Sequence, residues 1–148
     1  MSKNKAQILV VDDEVYIQEI LKSTLEDAGY ECVAVSDAES ALTVLASQNF
    51  DIALLDVRMA GKQGTELLQD IKKGYTEVVV LMITAIDNAS TVIESMRLGP
   101  YDYLVKPFNL DQVLICVHRA LDKRRLESAN RDYQKYLQRI AEESSAET

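Results

Sequence analysis

The chain has 148 residues, and 16 Lys and Arg stand against 24 Asp and Glu, so its formal net charge is −8. Apolar residues make up 47% and charged residues 27%, the balance of a globular chain, and the length suits one domain with a full core plus a short remainder. The acidic excess argues against gripping nucleic acid by charge alone, and the longest strongly apolar run, Val78–Ile83, falls far short of the about 20 residues a membrane span needs.

The first apolar run, Ile8–Val11, follows a polar start, Met1-Ser2-Lys3-Asn4-Lys5, and is too short for the core of a secretory leader. It reads as a buried strand, and Asp12-Asp13 ends it. Leu21, Leu25 and Ala28 mark a helix that Gly29 closes as a left-handed cap. Cys32–Val35 is the second strand run, and Ser36 with Glu39 three residues on predicts a capping box for a helix carrying Ala38, Ala41, Leu42 and Leu45. The third run, Ile52–Leu55, ends in Asp56, and Gly64-Thr65 leads into a helix with Leu67, Leu68 and Ile71. The fourth run, Val78–Ile83, ends in Thr84. A helix from about Asp87 through Val92, Ile93 and Met96 follows it and stops at Gly99-Pro100. Tyr103–Val105 is the fifth run, ending in Lys106-Pro107, and Asn109 with Gln112 opens a fifth helix. Cys32 and Cys116 have no CxxC spacing and His118 is the single histidine, which leaves little for a zinc site. The expectation is a cytoplasmic protein with reduced thiols.

Strands alternating with single helices require a parallel sheet with right-handed crossovers and helices on both faces. The expected class is therefore α/β, a flavodoxin-like (βα)5 sandwich with an extended C-terminal helix. Ligands of such sheets bind outside the carboxyl ends of the strands. Four of the five ends carry polar groups: Asp12-Asp13, Asp56, Thr84 and Lys106. Three carboxylates meeting in one crevice cannot all stay ionised without a cation. Mg²⁺ suits them because it takes few carboxylates, plus waters and a phosphate oxygen. The Thr84 hydroxyl and the Lys106 ammonium could receive an anion there, and Asp56 could serve as a nucleophile that forms an aspartyl phosphate. A single Asp at a strand end is usually a turn or cap residue, but packing does not require the joint pattern.

On these residues the chain resembles the receiver domain of two-component response regulators over residues 8–121. The matching segments are Ile8-Leu9-Val10-Val11-Asp12-Asp13-Glu14, Leu54-Leu55-Asp56-Val57-Arg58-Met59, Gly64 before Leu67-Leu68, Thr84-Ala85, and Tyr101-Asp102-Tyr103-Leu104-Val105-Lys106-Pro107-Phe108. The resemblance implies strand order 2-1-3-4-5. It implies phosphorylation of Asp56 by a sensor histidine kinase, a phosphotransfer protein or a small donor. It also implies Mg²⁺ held by Asp13, Asp56 and the backbone carbonyl of Arg58, with Asp12 helping through water or charge. Thr84 and Lys106 would contact phosphoryl oxygens, and Thr84 with Tyr103 would form the switch. Such a protein is a phosphoacceptor supporting its own phosphotransfer and autodephosphorylation rather than an enzyme. Three departures stand out: Ala60 where a proline is usual, Pro100 where a small residue is usual, and Arg58 with Ile86 flanking the path of an attacking water.

Toward the end of the chain, Leu110, Leu114, Val117 and Leu121 form a stripe predicted to pack on the sheet. The register breaks at Asp122-Lys123-Arg124-Arg125, then Leu126, Ala129, Tyr133, Tyr136 and Ile140 resume with the 3-4 spacing of a short coiled coil. So short a helix is marginal alone, and the seam needs a partner. The expected division is a receiver over 1–121 and a helical linker over 122–148 with a disordered end. Residues from Arg119 on carry seven basic and six acidic groups, against nine and eighteen before them, so intrahelical pairs are expected rather than a nucleic-acid patch. A homodimer through this helix and the face of the fourth and fifth helices is expected, with an output domain beyond the sequence and no membrane or direct nucleic-acid contact.

Three rival readings fit these residues less well. Aspartate-nucleophile phosphatases carry a second Asp two residues after the nucleophile, where Arg58 stands and cannot donate a proton. A flavodoxin would need a phosphate loop where Asp12-Asp13-Glu14 would repel it. A degenerate receiver acting only as a protein-binding module would have lost acidic, hydroxyl or lysine positions that are all present here.

Overall fold

The computed structural model describes residues 5–59, 61, 63–85, 97 and 99–147, with the side chains of 145–147 left aside. In chain order the elements are β1 (Gln7–Val11), α1 (Val15–Asp27), β2 (Glu31–Val35), α2 (Ala38–Ser47), β3 (Ile52–Asp56), α3 (Gly64–Gly74), β4 (Val79–Ala85), β5 (Asp102–Lys106) and α4 (Leu110–Glu147). The predicted fourth helical stretch, with Asp87, Val92, Ile93 and Met96, lies outside the described residues, as do Ala60 and Ile86.

The strands form one parallel sheet in the order β2-β1-β3-β4-β5, as expected. Successive strand residues point to opposite faces. Ile8, Val10, Leu54, Leu81 and Ile83 therefore pack with Leu21 and Leu25 of α1 and Val113 and Val117 of α4. Leu9, Val11, Leu55, Val80 and Met82 pack on the other side with Ala41 and Leu45 of α2 and Leu67, Leu68 and Ile71 of α3. Helices on both faces explain why the central strands read as unbroken apolar runs. Register aligns the ends: Val11 pairs with Leu55, Asp56 with Ile83, and Ala85 with Lys106.

The ends of the helices differ in part from expectation. Gly29 does close α1, with φ +97°. α2 is capped by Asp37 instead of Ser36: the Ser40 N–H donates to the Asp37 carboxylate at 2.7 Å. Ser36 faces α1, where the Gln18 amide donates to its hydroxyl at 2.8 Å. α3 starts with a reciprocal cap between Gln63 and Glu66 that sequence reading missed. On α4 the buried line is Val113, Val117, Ala120 and Leu121, while Leu110 and Leu114 are only half-buried. α4 continues unbroken across Asp122–Arg125 and reaches Glu147, past the point where a disordered end is expected. Cys32 and Cys116 are free thiols, and burial pushes Cys32 up to about 11. Among the described residues no helix is long and apolar enough to cross a membrane.

Candidate functional site

The site is built from four strand ends. Asp12 follows β1 and is fully buried. Its Oδ1 accepts the Glu14 N–H at 2.9 Å, its backbone carbonyl accepts the Gln18 amide at 2.7 Å, and its own N–H donates to Val35 at 3.1 Å. This tight turn exposes Asp13 and Glu14 above it. Asp56 ends β3 and is 6% exposed, and its Oδ1 accepts the Arg58 N–H at 3.3 Å. The start of α3 presses against this strand end: a Cβ on Gly64 would lie 1.9 Å from the Asp56 carbonyl oxygen. Only glycine permits that approach.

Lys106, at the end of β5, reaches across β4 and β3 toward β1. Its ammonium lies 2.9 Å from Glu14 Oε1, 3.1 Å from Asp12 Oδ2 and 3.3 Å from Asp56 Oδ2. Asp12 Oδ2 has no hydrogen bond among the described residues beyond that ion-pair contact. Carboxylate oxygens of Asp12, Asp13, Glu14 and Asp56 all lie within 4.8 Å of one another. Thr84, buried near the end of β4, donates its hydroxyl to the Ala85 carbonyl at 3.3 Å. Asp13, Glu14, Asp56, Arg58, Thr84 and Lys106 line one cleft of about 180 Å³.

Four acids around one ammonium are electrostatically unbalanced. Burial pushes the Asp56 carboxyl up to about 6; the charge of Asp12 adds to this, and Lys106 and the Arg58 N–H oppose it. Burial alone would lower Lys106, but its contacts with Glu14 and Asp12 and the charges of Asp56 and Asp12 prevail and raise it above its ordinary value.

Every predicted phosphoryl and metal residue therefore comes to this corner, with Asp12 beneath the cleft. Glu14 was missed: sequence reading placed it in the acidic motif but not as the shortest contact of Lys106. Tyr103 stands off the cleft. It pairs with Met82, two residues before Thr84, and packs on the same face of the sheet. Burial raises its phenol, whose oxygen has no hydrogen-bond partner among the described residues.

A parallel sheet of this order, with acids on its first and third strand ends and a lysine on its fifth, defines a receiver. The response regulator receiver domain family matches residues 8–118, and the chain belongs to it. Receivers of two-component systems accept a phosphoryl group on an aspartate and control output domains. The nitrogen assimilation regulatory protein NtrX of Azorhizobium caulinodans is 36% identical over 133 residues, covering 88% of this chain and 29% of that protein. The response regulator FleR of Pseudomonas aeruginosa is 42% identical over 114 residues, 77% of this chain and 24% of that protein. The chain thus spans less than a third of the length of these relatives. Among solved structures, the receiver domain of NtrX from Brucella abortus superposes with TM-score 0.74 at 38% identity, covering 78% of this chain and 98% of that one. A CheY-like receiver from Methanospirillum hungatei gives TM-score 0.80 at 29% identity, covering 84% and 99%.

Proposed function

We propose that Asp56 accepts the phosphoryl group from the phosphohistidine of a sensor kinase or phosphotransfer protein, or from a small donor. The change then controls an output domain or self-association. One observation carries this reading: three further carboxylates and the Lys106 ammonium converge on Asp56 at the carboxyl edge of the sheet.

The donor set suits Mg²⁺, because it is all hard oxygen and includes the buried Asp12 Oδ2, which among the described residues has only its ion-pair contact with Lys106. Asp13, Asp56 and the Arg58 carbonyl would hold the ion and Asp12 would assist by charge. When bound, it neutralises charge on the phosphoryl group. The remaining work belongs to the chain. An Asp56 oxygen attacks phosphorus, and the P–N bond of the donor breaks as the imidazole leaves with its electron pair. Lys106 exchanges its contact with Asp56 for a phosphoryl oxygen, and Thr84 turns its hydroxyl from the Ala85 carbonyl to another. Moving Thr84 opens space on the face it shares with Tyr103, and a swing of that ring would carry the signal to the neighbouring surface. Arg58, which lines the cleft, would influence how long the phosphate lasts.

The exposed seam Leu126, Tyr133, Tyr136 and Ile140 favours self-association through α4. Mass spectrometry after acetyl phosphate with Mg²⁺ tests the phosphoacceptor. The native chain should gain about 80 Da, one phosphoryl group, and Asp56→Asn should gain nothing. A gain that persists in the variant would place the acceptor elsewhere. Chelation with EDTA should abolish the native gain. Sedimentation with and without beryllofluoride, on the native chain and on Tyr133→Asp, tests the seam.

A further inference from the structure

The apolar stripe of α4 ends at Leu121, but the inward face of the helix does not. The line Val117, Ala120, Leu121 continues at helical spacing through Arg124, Ser128 and Arg131. Arg124 is half-buried beside a half-buried Lys123, and Ser128 is half-buried between exposed neighbours. Arg124 donates its Nε to Asp51 Oδ1 at 2.7 Å and its Nη1 to the Glu77 carbonyl at 3.0 Å. Nη1 also lies 3.4 Å from Glu77 Oε1. Two turns on, Arg131 donates its Nη2 to the same Glu77 oxygen at 2.7 Å.

The acceptors are anchored. Asp51, just before β3, takes the Gln7 N–H on Oδ2 at 2.8 Å, returns its own N–H to the Gln7 carbonyl at 2.8 Å, and accepts the Val79 N–H at 3.0 Å. It therefore ties together the starts of β1, β3 and β4. Glu77 sits in the short turn between α3 and β4. Both acids belong to the end of the sheet opposite Asp56.

We infer that Arg124 and Arg131 are a clamp that makes α4 as far as residue 131 a rigid part of the receiver and turns its apolar seam away from the sheet. Two of the seam positions lie two residues after a clamp position: Leu126 after Arg124, and Tyr133 after Arg131. Two residues are about 200° around a helix, so a helix held inward by the arginines presents the seam outward. The exposures agree where the helix still lies against the receiver: Leu126 is 70% exposed while Arg124 is half-buried. The register break at Asp122–Arg125 is where the inward face changes from apolar packing to ion pairs and the apolar residues move to the outer face. Unclamped, the helix could roll its seam onto its own receiver. The clamp prevents this and sets the direction in which the arm leaves. Planar guanidinium groups suit the task, since two N–H donors on one rigid fork fix orientation as well as contact.

This inference stands apart from the phosphoacceptor reading, whose failure would leave it intact. The test is amide hydrogen exchange on the full chain, followed by mass spectrometry. It compares the native protein with Arg131→Ala, Arg124→Ala and the double variant. The same set is repeated in a Tyr133→Asp, Tyr136→Asp background so that any protection from pairing is removed. In that background, protection over residues 122–132 should exceed that over 136–144, and the double variant should lose about tenfold or more of it, with the strands unchanged. Arg131→Ala, at an exposed position, should show a smaller loss confined to the same segment. Unchanged protection over 122–132 in the double variant would overturn the clamp. Should the double variant lose protection throughout the sheet, an unchanged segment in Arg131→Ala would overturn it and a local loss would support it.

Discussion

At the carboxyl edge of the sheet, Asp12, Glu14 and Asp56 share contacts to one ammonium, Lys106, and Asp13 joins their carboxylate cluster. At the opposite edge Asp51 and Glu77 meet Arg124 and Arg131, two acids with two bases. The comparison separates two uses of charge. The balanced edge holds chain segments together. The unbalanced edge holds an acid against its own preference, which is how a site prepared for an incoming cation and anion differs from a structural ion pair.

The largest expected effect breaks the symmetry directly: removing an acid should stabilise the first edge. Asp56 titrates near 6 in the fold against an ordinary 3.8. Because the folded value is raised, its contribution to stability is complete below about pH 4 and is lost as pH rises through about 6. In metal-free urea unfolding at pH 7.5, Asp56→Asn should be the more stable protein, by up to about 3 kcal/mol, and the gap should close near pH 4. Parallel pH profiles for the two proteins would end this account, and Mg²⁺ should flatten the native slope.

Next in size is Gly64→Ala. The added carbon would meet the Asp56 carbonyl at 1.9 Å, so α3 or the end of β3 must shift. The expected loss is about 1–3 kcal/mol in urea, with slower phosphorylation because Asp56 moves. At the balanced edge, Glu77→Gln should go the other way from Asp56→Asn and destabilise by about 0.5–1 kcal/mol, an effect that shrinks at high salt. If Glu77→Gln stabilises instead, the two edges are alike. Smallest is Tyr103→Phe. Its hydroxyl has no partner among the described residues, so unfolding should shift by less than about 0.5 kcal/mol while any phosphorylation-dependent change at the neighbouring surface is altered.

Much of this organisation was legible in the residues. Ile8–Val11, Ile52–Leu55 and Val78–Ile83 read as strands because both faces of the sheet are covered, and each polar residue that ends a run lies at the cleft or beneath it. Local choices between equivalent groups were not legible. Ser36 and Asp37 are adjacent and both can cap a helix, and only the approach of Gln18 occupies one and leaves the other. Val117 and Leu121 of the predicted stripe on α4 are buried, but Leu110 and Leu114 are only half-buried, because they satisfy the helical period as well as Val113 and Ala120 do and only the sheet distinguishes them.

The order of strands and helices and the set of acids, hydroxyl and lysine at the strand ends were determined by the sequence itself, since periodicity and punctuation act over a few residues. The tertiary structure alone decided that Glu14 holds Lys106 from 92 residues away and that Arg124 finds Asp51 from 73. It alone also set how far burial would move the Asp56 carboxyl. Those outcomes depend on separation in space and on excluded water, quantities that arise only once distant segments have packed.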